Sequence, residues 1–244
     1  MKRILSILLV LISIGVSAQT VKVAAAANLR FVFEKIKTSY EESNPGTKIE
    51  VNFGSSGTLL QQILNGASFD VYMAADDKFP VKLKDQGAAW GEIKTYAQGK
   101  LVLWSATIDV SKGIEIVTEV QVKRIAVAKP ELAPYGDRAL GILKKAGLYE
   151  KVKDKLVYAD NISQAAQFAQ TGNAEVGFLA MSLTLCPEMK GAVYELDSKS
   201  YKPINQAMVL VKTRKSNPEA AKFMSYVLSP ACKSIFENFG YIVP

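Results

Sequence analysis

The sequence predicts an α/β protein with mainly parallel sheets, and two observations support this class. Short β-rich runs alternate with helical segments along the chain from about residue 20 onward. The helical segments carry their apolar side chains at helical spacing, as in the stripe of Leu29, Val32, Phe33, Ile36 and Tyr40. Strands that alternate with helices form βα units, which align their strands in parallel.

The N-terminus resembles a cleaved secretory signal. Two basic residues precede an uncharged run, 4–18, which ends in the small-x-small sequence VSA before Gln19. A membrane anchor is the alternative, but the run is shorter than the roughly 20 apolar residues that span a bilayer. We expect residues 1–18 to be a signal peptide and the mature chain to start at Gln19 or Thr20.

Composition narrows the possible functions. The chain has 30 Lys+Arg and 23 Asp+Glu, a net charge of +7 that is scattered along the sequence, so nucleic-acid binding is not expected. It has no histidine, which excludes Ser-His-Asp and Cys-His catalysis and histidine metal sites. We therefore expect a binding protein rather than an enzyme, without a cofactor or a structural metal.

The two cysteines, Cys186 and Cys232, are the only residues that can form a disulfide. They fall in segments that we assign to different lobes. Two buried free thiols are therefore the expected state, and a disulfide is the alternative in an oxidising compartment.

Four places along the chain are predicted to be a strand that leads directly into a helix, at residues 24–29, 53–59, 133–140 and 159–166. These junctions are rich in small, hydroxyl and amide side chains. A helix start presents unpaired backbone N–H groups and the positive end of the peptide dipoles, so several starts together can hold an anion. Ordinary N-capping explains each junction taken singly.

Two other clusters of polar residues resemble functional sites. The carboxylates of Asp70, Asp76 and Asp77 suggest a metal site, but without histidine, helix capping by Asp76 or Asp77 is the simpler interpretation. Ser55 and Ser56 suggest a nucleophile, yet no general base accompanies them.

Six segments in this order resemble the periplasmic molybdate-binding proteins, the soluble receptors of molybdate ABC transporters. They are AAAANL, FGSSGTL, the 66–77 segment with FDVYMAADD, KPELAPYGDRAL, ADNISQAAQFAQTGNAEVGFLA and the terminal FENFGYIVP. The resemblance extends from Val21 to the last residue. It implies a two-lobed class II periplasmic-binding-protein fold, with a mainly parallel sheet flanked by helices in each lobe and a two-strand hinge.

The resemblance also implies the ligand-binding residues. The donors of the oxyanion would be Asn28, Ser56 and the backbone N–H groups of Tyr135 and Ile162, with Ala27 and Ser55 beside them. The implied ligand is molybdate or tungstate, held by neutral hydrogen-bond donors. A receptor for another tetrahedral oxyanion, such as sulfate or phosphate, is the alternative.

One family position departs from the pattern. Relatives often have a tyrosine at the end of the VGFLA strand, where this chain has Ala180 without a side-chain donor. The phenol of Tyr135 is the first candidate to replace it, and Ser182 is a weaker one. The other possibility is that the Tyr135 ring only shields the cleft while its backbone binds.

Two extended segments, 99–106 and 202–212, are the expected crossings between lobes. We expect residues 20–99 with 206–244 to form the first lobe and residues 100–205 the second. The family implies a membrane ABC permease as partner and a periplasmic location, and we expect a monomer.

Overall fold

A computed structural model of the protein describes residues 19–212 and 217–244, so the predicted signal peptide 1–18 lies outside the described residues. The chain forms two five-stranded sheets, each flanked by helices. The strands are β1 Gln19–Ala26, β2 Thr47–Gly54, β3 Val71–Ala74, β4 Ala89–Gly99, β5 Leu101–Ser105, β6 Ile125–Ala128, β7 Leu156–Ala159, β8 Val176–Ala180, β9 Ala192–Glu195 and β10 Ile204–Val211. The helices are α1 Arg30–Ser43, α2 Ser56–Leu64, α3 Lys78–Asp85, α4 Pro134–Lys145, α5 Tyr149–Val152, α6 Ile162–Gln170, α7 Met181–Thr184, α8 Pro218–Val227 and α9 Pro230–Asn238.

The first sheet has the strand order β2-β1-β3-β10-β4, and the second has β7-β6-β8-β5-β9. Strand β10 is antiparallel to both neighbours in the first sheet, and β5 is antiparallel to both neighbours in the second. The other strands of each sheet run in one direction, so the prediction of mainly parallel sheets is confirmed. We call each sheet with its helices a lobe.

The two antiparallel strands, β5 and β10, are also the first strands that follow the two crossings between lobes. The chain leaves β4 at Gly99 and enters β5 at Leu101, and it returns to the first sheet in β10 at Ile204. Both crossings are therefore extended and lie side by side, because Ile204 pairs with Gly99.

The polar composition of the segment 90–98 does not predict a strand, yet this segment belongs to β4, which pairs with β10 along the edge of the first sheet. An edge strand pairs with a neighbour on one side only and is exposed to solvent on the other. Its polar side chains can therefore stay in contact with water while the strand pairs with β10. Trp90 is accordingly 54% exposed and lies under the Lys212 ammonium group.

Each lobe has its own apolar core. One face of the first sheet packs against α1, α8 and α9 through an aromatic group in which Tyr40 and Phe33 meet Phe223 at centroid distances of 5.1 and 6.0 Å. The second sheet packs around Trp104, which is fully buried. Cys186 and Cys232 are both buried and free, as expected. No helix among the described residues has the length and apolarity to cross a membrane.

Candidate anion-binding site

A small cavity lies between the two lobes, where helix starts from both sheets converge. Its volume, measured as the space open to the centre of a water molecule, is about 10 Å³, and no charged residue lines it. Its lining residues are Ala26, Ala27, Asn28, Gly54, Ser55, Ser56, Ala75, Ala133, Pro134, Tyr135 and Ile162. All six residues that the sequence placed at the anion site are therefore brought together, and all four predicted strand-to-helix junctions contribute.

Ser56 is the first residue of α2 and is held in place from two sides. Its Oγ accepts a hydrogen bond from the Ala75 N–H at 3.0 Å, and its carbonyl accepts one from the Tyr72 hydroxyl at 2.6 Å. Because Oγ acts as an acceptor there, its own proton can be donated into the cavity. Burial raises the pKa of the Tyr72 phenol well above its usual value, so this anchor stays protonated.

The N–H of Ser56 belongs to a residue that lines the same cavity. Helix geometry leaves the first N–H groups of a helix without intrahelical acceptors. In α2, the N–H of Gly57 donates to the Leu132 carbonyl at 2.8 Å, and the N–H of Thr58 donates to Ser55 Oγ at 3.3 Å. That leaves the Ser56 N–H for a ligand. Ser55 is the cap of this helix, and its hydroxyl bonds Thr58 Oγ1 at 2.7 Å rather than facing the cavity as a free donor.

Helix α4 supplies the Tyr135 N–H from the second lobe. Pro134 at the first position has no N–H, and the Asp137 N–H donates to the Ala133 carbonyl at 3.1 Å. The N–H groups of Tyr135 and Gly136 are then left at the helix start. Gly136 is required there because a Cβ would stand 1.9 Å from the Ala128 carbonyl oxygen, so the helix start sits directly on the end of β6.

Helix α6 supplies the Ile162 N–H. Asn161 caps the helix, since its Oδ1 accepts from the Gln164 N–H at 3.0 Å. The Ile162 N–H is one residue inside this cap and is left without an intrahelical acceptor. The donor is a backbone group, so the identity of the side chain at 162 matters only for the wall of the cavity.

Asn28 lies in the short helical turn Ala27–Leu29 that follows β1, and its side chain is 1% exposed. Its Nδ2 donates to Gln206 Oε1 at 2.9 Å and to Tyr241 Oη at 2.8 Å. Gln206 Nε2 in turn donates to Tyr135 Oη at 3.2 Å. Asn28 thus connects the first lobe to the Tyr135 phenol of the second lobe through Gln206.

Three buried tyrosines surround Asn28 and Gln206: Tyr241 contacts Asn28, and Tyr96 and Tyr135 contact Gln206. Burial raises the pKa of Tyr241 to about 12, and it raises the pKa values of Tyr96 and Tyr135 well above their usual range. These three phenols therefore stay protonated and uncharged at neutral pH.

Further hydrogen bonds join the lobes around the cavity. Besides Gly57 with Leu132, the Ser163 hydroxyl donates to the Ala27 carbonyl at 2.8 Å, and the Ser182 hydroxyl donates to the Asn28 carbonyl at 2.9 Å. The cavity is consequently closed on its rim by protein contacts.

Ala180, where the tyrosine donor of the family pattern is missing, ends β8 and does not line the cavity. Of the two candidates to replace that donor, the Ser182 hydroxyl donates to the Asn28 carbonyl, and the Tyr135 phenol contacts Gln206 Nε2.

Sequence reasoning missed Gln206 and Tyr241, which contact Asn28 from strand β10 and from the C-terminal segment. A glutamine inside the apolar run of β10 was the available signal, because full burial of such a side chain requires partners.

Comparison with known proteins identifies the family. The profile of the bacterial extracellular solute-binding proteins matches residues 21–242. The chain belongs to this family. The molybdate-binding protein ModA of Azotobacter vinelandii is 38% identical to this solute-binding protein over 235 residues, which is 95% of this chain and 93% of that protein. The ModA protein of Rhodobacter capsulatus is 37% identical over 95% of this chain and 91% of its own length.

Solved structures agree with this assignment. The periplasmic molybdate-binding protein of Azotobacter vinelandii superimposes on this solute-binding protein with a TM-score of 0.86 at 32% identity, covering 92% of this chain and 99% of that one. The sulfate-binding protein SubI of Mycobacterium tuberculosis superimposes with a TM-score of 0.74 at 12% identity, covering 91% and 86%, which is a likeness of fold alone. The two-lobed fold and the prediction of a binding protein rather than an enzyme are confirmed.

Proposed function

We propose that this solute-binding protein is a receptor for molybdate, and that it also takes tungstate, for delivery to a membrane ABC permease. The observation that carries the proposal is the uncharged cavity into which Asn28, Ser56, Tyr135 and Ile162 converge from both lobes. The relatives that are named molybdate-binding proteins, at 37–38% identity, support the choice of ligand.

The donor set suits a fully deprotonated dianion. The backbone N–H groups of Asn28, Ser56, Tyr135 and Ile162 and the hydroxyl of Ser56 can each donate one hydrogen bond to the anion. Each hydrogen bond to a charged group contributes about 1.5 to 3 kcal/mol, so five of them amount to roughly 8 to 15 kcal/mol before ordering costs. Micromolar to nanomolar affinity corresponds to about 8 to 12 kcal/mol. Ala27 and Ser55 complete the wall and the helix cap.

Size and protonation would set the selectivity. Molybdate and tungstate share a tetrahedral shape and are larger than sulfate, so the closed cavity would discriminate by fit. Phosphate carries a proton at neutral pH, and a cavity of donors leaves that proton unpaired. A receptor for sulfate or phosphate remains the second candidate, since a sulfate-binding protein shares the fold.

The proposed role in transport requires that the protein release its ligand. Helix dipoles and N–H groups hold a dianion without a cationic side chain, which lets the ligand leave when the lobes open. We propose a periplasmic monomer that binds no nucleic acid, with the lobes divided as predicted, 20–99 with 206–244 and 100–205, except that strand β10 brings residues 204 and 205 into the first lobe. The pairing of Ile204 with Gly99 supports a hinge at these two crossings.

Isothermal titration of ligand-free protein with molybdate, tungstate, sulfate and phosphate tests the proposal. We expect micromolar or tighter binding of the first two and little heat from the others. Equal or stronger binding of sulfate or phosphate would instead establish the second candidate, and the absence of heat with all four would overturn both.

A further inference from the structure

Five buried polar side chains form one hydrogen-bonded cluster between the cavity and the hinge strand β10: Asn28, Tyr96, Tyr135, Gln206 and Tyr241. Gln206 is the centre of this cluster and is fully buried. Its Oε1 is 2.9 Å from Asn28 Nδ2 and 3.0 Å from Tyr96 Oη, and its Nε2 is 3.2 Å from Tyr135 Oη. Of these five residues, Asn28 and Tyr135 line the cavity.

One atom of the cluster is unsatisfied. Asn28 Oδ1 is buried and has no hydrogen-bond partner among the described residues. Gln206 and Tyr241 occupy the Nδ2 end of the amide and do not line the cavity, so we place the Oδ1 end on the cavity side. An amide oxygen at that position would repel an oxyanion. This orientation of the Asn28 amide therefore opposes binding of the proposed anion.

A half-turn of both amides removes this conflict. The oxygen and nitrogen ends of an amide are similar in size, so the turn changes donors into acceptors while the heavy atoms stay in place. Asn28 Oδ1 then accepts from the Tyr241 hydroxyl and from Gln206 Nε2, and Gln206 Nε2 also donates to Tyr96 Oη. Asn28 Nδ2 becomes a donor to the cavity.

The two amides must turn together. If Asn28 turned alone, its Oδ1 would stand about 2.9 Å from Gln206 Oε1, which is two acceptors without a proton between them. If Gln206 turned alone, its Nε2 would face Asn28 Nδ2, which is two donors. The orientation of Gln206 thus decides which end of Asn28 meets the guest.

We propose that Gln206 is a positioning residue for anion binding, and that the dianion is bound with the amides of Asn28 and Gln206 both reversed. This proposal rests on the proposed function. In the reversed arrangement Gln206 Oε1 accepts from the Tyr135 hydroxyl, so the phenol acts on Gln206 and the backbone N–H of Tyr135 meets the anion. The donor missing at Ala180 is then replaced by Asn28 Nδ2.

Gly99 connects this cluster to the hinge. A Cβ at this position would stand 2.1 Å from Tyr135 Oη and 2.7 Å from Gln206 Nε2. The first crossing between lobes therefore passes directly against the contact that the reversal changes.

Neutron diffraction from deuterium-exchanged crystals of the wild-type protein tests the orientation directly. With molybdate bound, we expect deuterons on the Asn28 atom that faces the anion and on the Gln206 atom between Asn28 and Tyr96. An Asn28 oxygen facing the anion, or a Gln206 oxygen facing Asn28, would overturn the proposal while leaving molybdate binding intact. A wild-type protein that does not bind molybdate would instead refute the proposed function.

Substitutions at Gln206 give an independent test. Gln206→Glu offers acceptors at both ends and holds Asn28 Nδ2 away from the cavity, so we expect molybdate affinity to fall at least about 100-fold. Gln206→Met removes the hydrogen bonds that position Asn28 and adds no charge, and we expect molybdate affinity to fall about tenfold. Asn205→Asp, on the exposed neighbouring residue, adds the same charge outside the cluster and should change affinity by less than about twofold.

Binding of molybdate by Gln206→Glu within threefold of wild type would contradict the proposal.

Discussion

The first lobe reaches the cavity with side chains, whereas the second lobe reaches it mainly with backbone N–H groups. Asn28 and Ser56 depend on their side-chain identity, and each is fixed by hydrogen bonds to neighbouring elements. Tyr135 and Ile162 contribute through the starts of α4 and α6, which persist with most side chains. Substitutions should therefore damage binding through the first lobe more than through the second.

The largest effect is expected at Asn28. Asn28→Asp keeps the shape of the side chain but replaces its N–H donors with a charged acceptor beside the dianion. We expect a loss of molybdate affinity of at least about 100-fold, because a donor of about 1.5 to 3 kcal/mol is lost and like charges are brought together. Titration calorimetry measures the loss, and affinity within tenfold of wild type would exclude Asn28 as a donor.

Ser56 and Ile162 form a matched pair across the cavity. Ser56→Ala removes a hydroxyl donor and should weaken binding about tenfold or more. Ile162→Ala retains the backbone N–H and shortens only an apolar wall, so its affinity should change by less than about threefold, after correction for any change in melting temperature. The contrast between the lobes would be lost if the two variants weakened binding equally.

The next largest effect on molybdate binding is expected at Gly57, where the two lobes meet when they close. A Cβ at Gly57 would stand 2.9 Å from Leu132 Cδ2 and 3.0 Å from Leu132 Cα, across the cavity rim. Gly57→Ala should therefore oppose closure by about 1 to 3 kcal/mol and weaken molybdate binding about five- to 100-fold.

The control is Gly141→Ala, since a Cβ at Gly141 in α4 meets no atom within 4 Å. This variant adds the same methyl group without touching the rim, and it should bind like wild type. Scattering profiles of both variants with molybdate would report the degree of closure. A Gly57→Ala protein that closes and binds normally would contradict the role of this contact.

The smallest effect concerns Asp76, whose carboxylate is buried at the end of β3 beside the cavity. Burial raises the pKa of Asp76, although its bond to the Phe79 N–H and the positive charge of Arg138 lower it. A raised pKa in the folded state means that ionisation costs stability, and the cost grows as pH rises from the unfolded value near 3.8 through the folded value.

Asp76→Asn should therefore raise the melting temperature at pH 7 by about 1 to 3 °C and leave it unchanged near pH 3. The amide oxygen can still accept from Phe79. The exposed neighbour Asp77 provides the control variant Asp77→Asn, which should not show this pH-dependent gain. A destabilised Asp76→Asn protein at pH 7 would mean that the charge on Asp76 is favourable.

Much of this architecture was predictable from the sequence because it follows from local pattern. Alternating β-rich and amphipathic segments predicted the sheets, and the four junctions predicted which residues meet at the cavity. Strand β4 was missed because its alternate polar residues reflect an edge position, which depends on pairing with β10 more than 100 residues later. Long-range pairing leaves little trace in local composition.

The cluster behind the cavity was also beyond local reasoning. Gln206 and Tyr241 meet Asn28 from residues 178 and 213 positions away in the chain. The glycine at position 57 similarly owes its identity to Leu132 in the other lobe. The contacts of Asn28 exist only when distant segments of the first lobe have folded together, and the contact of Gly57 exists only when both lobes have folded and closed.

The central claim is that neutral donors from both lobes hold a tetrahedral dianion. Its most direct test is the position of molybdenum in crystals of the protein grown with molybdate, located by anomalous scattering at the molybdenum edge. We expect one strong peak in the cavity between Ser56 and Ile162, with oxygen atoms in hydrogen-bond distance of the N–H groups of Asn28, Ser56, Tyr135 and Ile162. A peak outside this cavity, or an anion held by lysine or arginine side chains, would contradict the account.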